Sequence, residues 1–245
     1  MTRWAVFEGL DNVRDAGGLP LNGGGTTRPG VLLRSASLHY TTPADVRRLV
    51  EEVRVRVVLD LRTPREIDGD GPTAVSAAGV ETVALNLIGE SREWLPRTGD
   101  DTDPLLRIYR GYLTDFPERV VEAARRVAEV RDGAALVHCA AGKDRTGVVT
   151  AMMLDAVGVE RDAVVADYAA SSEQIEAMFR RWTSAAGEPM PPAEELLRHH
   201  PRAPVMDTLL SEVDAGHGGA AGWLTAHGLS EESLTRLRER LTTPP

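Results

Sequence analysis

Residues 134–147 read AALVHCAAGKDRTG, and their pattern decides the fold. Ala134 to His138 is a short apolar run launched by Asp132-Gly133, the signature of a buried strand. His138-Cys139-Ala140-Ala141-Gly142-Lys143-Asp144-Arg145-Thr146-Gly147 is a charged, glycine-punctuated turn. After it Val148, Val149, Met152, Met153, Ala156 and Val157 recur at helical spacing and stop at Gly158, which predicts a helix with a wide apolar stripe.

The same alternation of periods extends outward in both directions. Residues 55–61 (VRVVLDL) are β-branched and apolar and end at Arg62-Thr63-Pro64, as a buried strand would. Val83, Leu85 and Leu87 alternate with Ala84 and Asn86, which predicts another. Thr42-Pro43 has the form of an N-cap and first-turn proline, with Val46, Leu49, Val50 and Val53 on one helical face. Pro117 opens a further helix through Val120, Val121, Ala124, Val127, Ala128 and Arg131. Asn22-Gly23-Gly24-Gly25 is a hairpin turn signal. Strands alternating with helices predict an α/β fold with a central, largely parallel sheet flanked by helices, organised as one domain over residues 1–245. No strand is predicted after Arg161. Helices there are interrupted by a proline-rich stretch, and residues 171–204 are expected to form a helical lid or cap.

Composition bounds the function. The chain has 245 residues, 42% hydrophobic and 27% charged, with a formal net charge of −9. That length supports a full core, and the balance is that of a globular protein rather than a disordered or disulfide-rich one. The acidic balance argues against a nucleic-acid partner, although a local pocket can oppose the global field. No apolar run reaches the roughly 18–20 residues of a transmembrane helix. Met1-Thr2-Arg3-Trp4 leads into Glu8, Asp11 and Asp15 without a signal-peptide core, so the expected location is cytoplasmic, or outside after export without a recognisable signal. Cys139 is the one cysteine, which excludes an intramolecular disulfide and a four-cysteine metal site. Lys143 is the one lysine among 28 lysines and arginines, and it lies four residues from that cysteine.

A turn entering a helix leaves backbone N–H groups unpaired at the positive end of the helix dipole, where a phosphate-sized anion binds. Ala140, Ala141 and Gly142 carry little side chain, so the backbone can wrap closely around the ion. Arg145, six residues after the cysteine, can grip two phosphate oxygens with its planar fork. A lone cysteine is ordinarily a small buried hydrophobe. Here the electropositive surroundings favour the thiolate, and Cys139 becomes a candidate nucleophile.

Cys-x5-Arg followed by Thr-Gly resembles the cysteine-dependent protein tyrosine phosphatases. The fuller string HCAAGKDRTG is similar to their atypical bacterial branch, the mycobacterial B type. Asn12-x-Arg14-Asp15 with Gly17-Gly18, Leu33-Arg34-Ser35 with Leu38, Asp60-Leu61-Arg62 with Glu66, Ala166-Asp167-Tyr168 with Ser171, and Gly222-Trp223-Leu224 match further blocks of that branch. The resemblance spans nearly the whole chain, but only the cysteine loop is specific by itself. It implies a phosphatase fold with a helical lid and no metal or organic cofactor.

The resemblance further implies a two-step reaction. Cys139 attacks phosphorus while Arg145 and the loop amides hold the equatorial oxygens, and water then hydrolyses the phosphocysteine. Thr146 is expected to donate a hydrogen bond to the sulfur, and His138 to support the loop. Three carboxylates compete as general acid: Asp144 inside the loop first, Asp60 at a strand end second, and Glu90 on a poorer local match. Against the first stands the alternative that Asp144 only pairs with a neighbouring arginine. Arg62 is a supporting candidate beside Asp60. Lys143 adds a positive charge of the kind found in phosphatases that act on phosphoinositides. The implied partners are a phosphorylated protein or a phosphoinositide, with inorganic phosphate as product.

Other features carry less. Gly216-His217-Gly218-Gly219 with Gly222 follows a helix-like run rather than a strand, and reads as a helix–helix connection. His199-His200 lacks ligand-spaced partners. Tyr109 and Tyr112 lie on a predicted helix, in the core or lining a cleft, and Arg47-Arg48 and Arg180-Arg181 read as solvated faces. Two rival functions remain, a rhodanese-like sulfurtransferase and an inactive module that binds phosphorylated ligands.

Overall fold

A hydroxyl cap followed by proline starts two helices of this chain, at Thr42-Pro43 and Thr63-Pro64, and short apolar strands separate the helices. The computed structural model describes residues 4–89 and 103–243. In chain order it contains β1 (Arg14–Asp15), β2 (Thr26–Thr27), β3 (Leu32–Ser35), α1 (Pro43–Arg47), β4 (Val55–Asp60), α2 (Pro64–Asp70), α3 (Ala74–Ala77) and β5 (Glu81–Ala84). There follow α4 (Pro104–Asp115), α5 (Pro117–Glu129), β6 (Ala134–His138), α6 (Asp144–Ala156), α7 (Arg161–Ala169), α8 (Ile175–Ala186) and α9 (Ala193–Arg198). The chain closes with α10 (Ala203–His217), α11 (Ala220–Ala226), α12 (Glu231–Leu241) and β7 (Thr242–Thr243).

The main sheet has the order β1-β3-β6-β4-β5, with β3, β6, β4 and β5 parallel and β1 antiparallel at the edge. The central β6 is buried at every residue, which is why it reads as one apolar run rather than an alternation. Its side chains still alternate between faces. Ala135 and Val137 join the larger core with residues of α4 to α7 and α10 to α12, while Ala134 and Leu136 join Leu38, Leu49, Val75 and Val80 on the other face. No helix among the described residues is long and apolar enough to cross a membrane.

Three sequence expectations are corrected here. The alternation through Leu87 predicts a longer strand than β5, which ends at Ala84. Leu85 N still donates to Asp60 O, but the Asn86 side chain then closes a turn on Ile88, accepting from its N–H and donating to its carbonyl. The helix expected over 43–53 is α-helical only to Arg47 and widens into a π turn over Arg48–Glu52. The expectation of no strand after Arg161 misses β7, which pairs antiparallel with β2 and is too short to leave a periodic signal. The glycine-rich decoy is the α10–α11 connection, with Gly218 and Gly219 at φ +69° and +107°. Glu90 lies outside the described residues.

Candidate active site

The loop between β6 and α6 is shaped from outside. Ala140 O accepts from Ser37 N at 2.9 Å, and Ala141 O accepts from Asn12 Nδ2 at 2.8 Å. Gly142 O accepts from Asn12 Nδ2 at 3.2 Å and from Arg34 Nη2 at 2.9 Å. A planar trans peptide points its N–H opposite its carbonyl. The N–H groups of Ala141, Gly142 and Lys143 are therefore turned to the other side of the loop, beside the N-terminus of α6. That is how a backbone makes an anion nest. Gly142 is required for this: its φ is +64°, and a Cβ there would lie 2.1 Å from Ser35 O.

The donors that set the loop are themselves held in a buried network. Arg14 places Nε 3.2 Å from Asp167 Oδ1 and donates from Nη2 to Asp167 O and Ser171 Oγ at 2.7 and 2.9 Å. Arg34 Nη1 stands 2.6 Å from Asp167 Oδ2. Two guanidinium groups thus share one carboxylate with almost no solvent contact. Asn12, at φ +54°, links the two parts: its amide nitrogen donates to the loop and its oxygen accepts from Arg14. Gly147 leaves room for the Tyr168 ring, whose Cδ2 would be 2.7 Å from an added Cβ.

Arg145 is oriented by Glu66. Nη1 and Nη2 donate to Oε2 and Oε1 at 2.7 and 2.8 Å, and Nη1 also donates to Leu61 O at 3.1 Å. Glu66 is in addition the capping-box residue of α2, its Oε2 accepting from Thr63 N while its own N–H donates to Thr63 Oγ1. Burial pushes the Glu66 carboxyl up, but Arg145 and the Thr63 amide outweigh it and hold it down at about 2. Burial likewise opposes the Arg145 charge, and Glu66 more than offsets that. A guanidinium has five N–H donors. The clamp uses three, leaving Nε–H and the second Nη2–H on one edge of the fork.

The remaining residues fall into place around this pair. Cys139 directly follows β6 and is buried. His138 is buried, pairs through Nδ1 with Cys139 O at 3.1 Å, and its pKa is pushed down by burial, which suits a neutral scaffold. Asp60 is buried with both oxygens on Arg62, which also reaches Asp70 and Ser37. Ser37 in turn donates to Ala140 O, so Arg62 supports the loop at one remove. Thr146 is buried and its hydroxyl makes no hydrogen bond among the described residues, so the bond expected to the sulfur is not formed in this structure. Lys143 Nζ lies 3.3 Å from Asp144 Oδ2 and donates to His199 O at 2.6 Å, while Asp144 Oδ1 accepts from Tyr109 Oη. The alternative foreseen for Asp144 named a neighbouring arginine; the cation beside it in the structure is Lys143. Sequence reasoning quoted Asn12, Arg14, Arg34, Glu66 and Asp167 only as matches to a pattern. Their work on the loop depends on contacts across 79 to 159 residues, and only the Thr63-Pro64-x-Glu66 cap left a local sign.

A backbone nest, a cysteine at its base and an arginine clamped six residues on define a phosphate-ester hydrolase on an α/β sheet. The model of the Tyrosine phosphatase family matches residues 5–243, and the chain belongs to that family. It is 30% identical over 217 residues to a tyrosine-protein phosphatase of Nostoc commune, covering 85% of this chain and 73% of that one. It is 29% identical over 254 residues to the triple specificity protein phosphatase PtpB of Mycobacterium tuberculosis, covering 86% and 90%. The solved structure of PTPMT1 in complex with PI(5)P overlaps 76% of this chain and 94% of its own at a TM-score of 0.36 and 16% identity. The protein is a phosphatase acting on phosphorylated substrates.

Proposed function

We propose that the protein hydrolyses phosphotyrosine esters through a phosphocysteine formed on Cys139. The Cys139 sulfur attacks phosphorus in line with the departing phenol oxygen. The amides of Ala141, Gly142 and Lys143, with the free Nε/Nη2 edge of Arg145, hold the three equatorial oxygens as charge builds on them. Asp144 protonates the leaving oxygen, water then cleaves the S–P bond, and phosphate leaves. The Thr146 hydroxyl, without another partner among the described residues, is available to the sulfur as it departs. The observation that carries this reading is the Arg145 fork, gripped by Glu66 along one edge so that the other edge stays available.

Residues 171–204 act as a lid in this reading. Ile175 and Met178 of α8 form a buried cluster with Ala36, and the loop residue Ala141 packs against it. Lys143 is tied to the same region through His199 O. A second substrate class, phosphoinositides, is favoured by the Lys143 ammonium within the loop.

A substrate panel on wild type beside Cys139→Ser tests the proposal. Phosphotyrosine peptides and p-nitrophenyl phosphate are expected to turn over with wild type. Cys139→Ser is expected to lose all measurable turnover while keeping phosphate-ester binding. Appreciable turnover by that variant, or activity confined to phosphoserine peptides or to thiosulfate, would refute it.

A further inference from the structure

Asp144 is held at both oxygens, and the two holders differ in kind. Lys143 stands at Oδ2. At Oδ1 stands Tyr109, a fully buried residue of α4 whose hydroxyl donates to it. Tyr109 Oη lies 2.7 Å from Tyr168 Oη of α7, and Tyr168 Oη accepts from the backbone N–H of Arg202 at 3.3 Å. The rings fix this arrangement: Tyr109 meets Tyr168 edge-on at 88° and stacks on Tyr112 at 26°.

The direction of the chain follows from the single proton each phenol carries. Tyr109 Oη donates its proton to Asp144 Oδ1, so across the 2.7 Å contact the proton comes from Tyr168. Tyr168 Oη accepts the Arg202 N–H on a lone pair. Burial pushes both phenols up, Tyr168 to about 12, so both keep the protons this requires. A proton on Oδ1 would force Tyr109 to turn back toward Tyr168, facing that hydroxyl's proton with its own. Oδ1 is therefore committed as an acceptor, and the oxygen left to carry a proton is Oδ2.

We infer that Tyr109 is the positioning residue of the acid, fixing Asp144 Oδ1 so that proton transfer occurs at Oδ2. Tyr168 donates to Tyr109 in turn and accepts from the Arg202 amide. In the step itself the S–P bond forms as the P–O bond breaks, its electron pair goes to the leaving oxygen, and the proton moves from Asp144 Oδ2 to that oxygen. Both holders of Asp144 end on one segment, since Lys143 bonds His199 O and Tyr168 bonds Arg202 N. The inference rests on the reading of Asp144 as acid in the reaction proposed above.

Tyr109→Phe tests it, because the ring stays and only Oη is removed. With phenyl phosphate, whose leaving group needs the proton, kcat/KM should fall about tenfold; with p-nitrophenyl phosphate it should fall less than about threefold. Inhibition by inorganic phosphate should be unchanged, as the nest is untouched. Asp144→Asn should show the same split between leaving groups, and the double variant should lose no more than Asp144→Asn alone. Tyr168→Phe, which removes the next donor, should show the split in weaker form, and it carries the test if Tyr109→Phe melts below the assay temperature. An equal loss with both leaving groups, no loss, or additive losses would overturn the inference. A wild type that hydrolyses neither ester would instead defeat the reading of the site itself.

Discussion

Glu66 holds Arg145 through both carboxylate oxygens while capping α2 with the same group. One side chain thereby ties the start of a helix to Arg145, the arginine proposed to grip phosphate. Glu66→Gln keeps the size but gives only one acceptor oxygen, so the fork should lose its fixed angle. We expect kcat/KM to fall about ten- to a hundredfold, as small misplacements of catalytic groups do, with weaker inhibition by vanadate. Unchanged kinetics would show that Leu61 O alone suffices to orient the guanidinium.

The same pair predicts a pH dependence of stability. Glu66 is held down from 4.5 to about 2 in the folded state, so the unfolded chain binds its proton more readily. Its contribution is present above about pH 4.5 and is lost as pH falls toward 2. Melting of wild type against Glu66→Gln should differ at pH 7 and converge near pH 2 to 3. A gap that stays constant across that range would remove the ion pair from the account of stability.

Gly142→Ala should be among the most damaging small substitutions. The new methyl would meet Ser35 O at 2.1 Å and Ala36 N at 2.7 Å, both backbone atoms, at a positive φ. Loss of about 2 kcal/mol or more in urea unfolding is expected, together with loss of phosphate binding. Native-like stability with intact binding would mean that the loop and β3 move apart at little cost.

How much of this was legible depends on sequence distance. The cysteine loop announced itself because strand, turn and helix are contiguous over residues 134–157, and β6 falls where the apolar run lies. The parallel sheet followed from alternation of periods. β3 escaped because its four residues, buried on both faces, include an arginine, and period-2 reasoning has no place for a buried cation. The roles of Arg14, Arg34 and Asp167 arise only when three distant segments meet, so no local pattern encodes them. Tyr109 reads as an ordinary core residue of a helix, and its hydroxyl acquires meaning only from Asp144 and Tyr168 beside it.

Asp167→Asn tests that buried network. It leaves two guanidinium groups without the carboxylate they share, and removing one partner from a buried ion cluster costs about 3–5 kcal/mol. Urea unfolding should register that loss, and the folded fraction should bind phosphate more weakly because Arg34 also holds Gly142 O. A small change in stability would indicate that hydrogen bonds to Asn12, Ser171 and the backbone are enough to keep both arginines buried.

The lid reading makes a kinetic prediction about the sulfur. Cys139 is 2% exposed, and the helices above the loop rest on a small cluster in which Ile175 and Met178 are buried against Ala36. Met178→Ala removes several methylene-sized groups from that contact without touching the nest. The open state should become more populated, and peroxide should inactivate Cys139 severalfold faster, since oxidation follows access to the sulfur. Phosphate added in excess should slow inactivation in both proteins by occupying the nest. Equal inactivation rates for wild type and Met178→Ala, with the variant folded and active, would show that the helices over residues 171–204 do not control access to the sulfur.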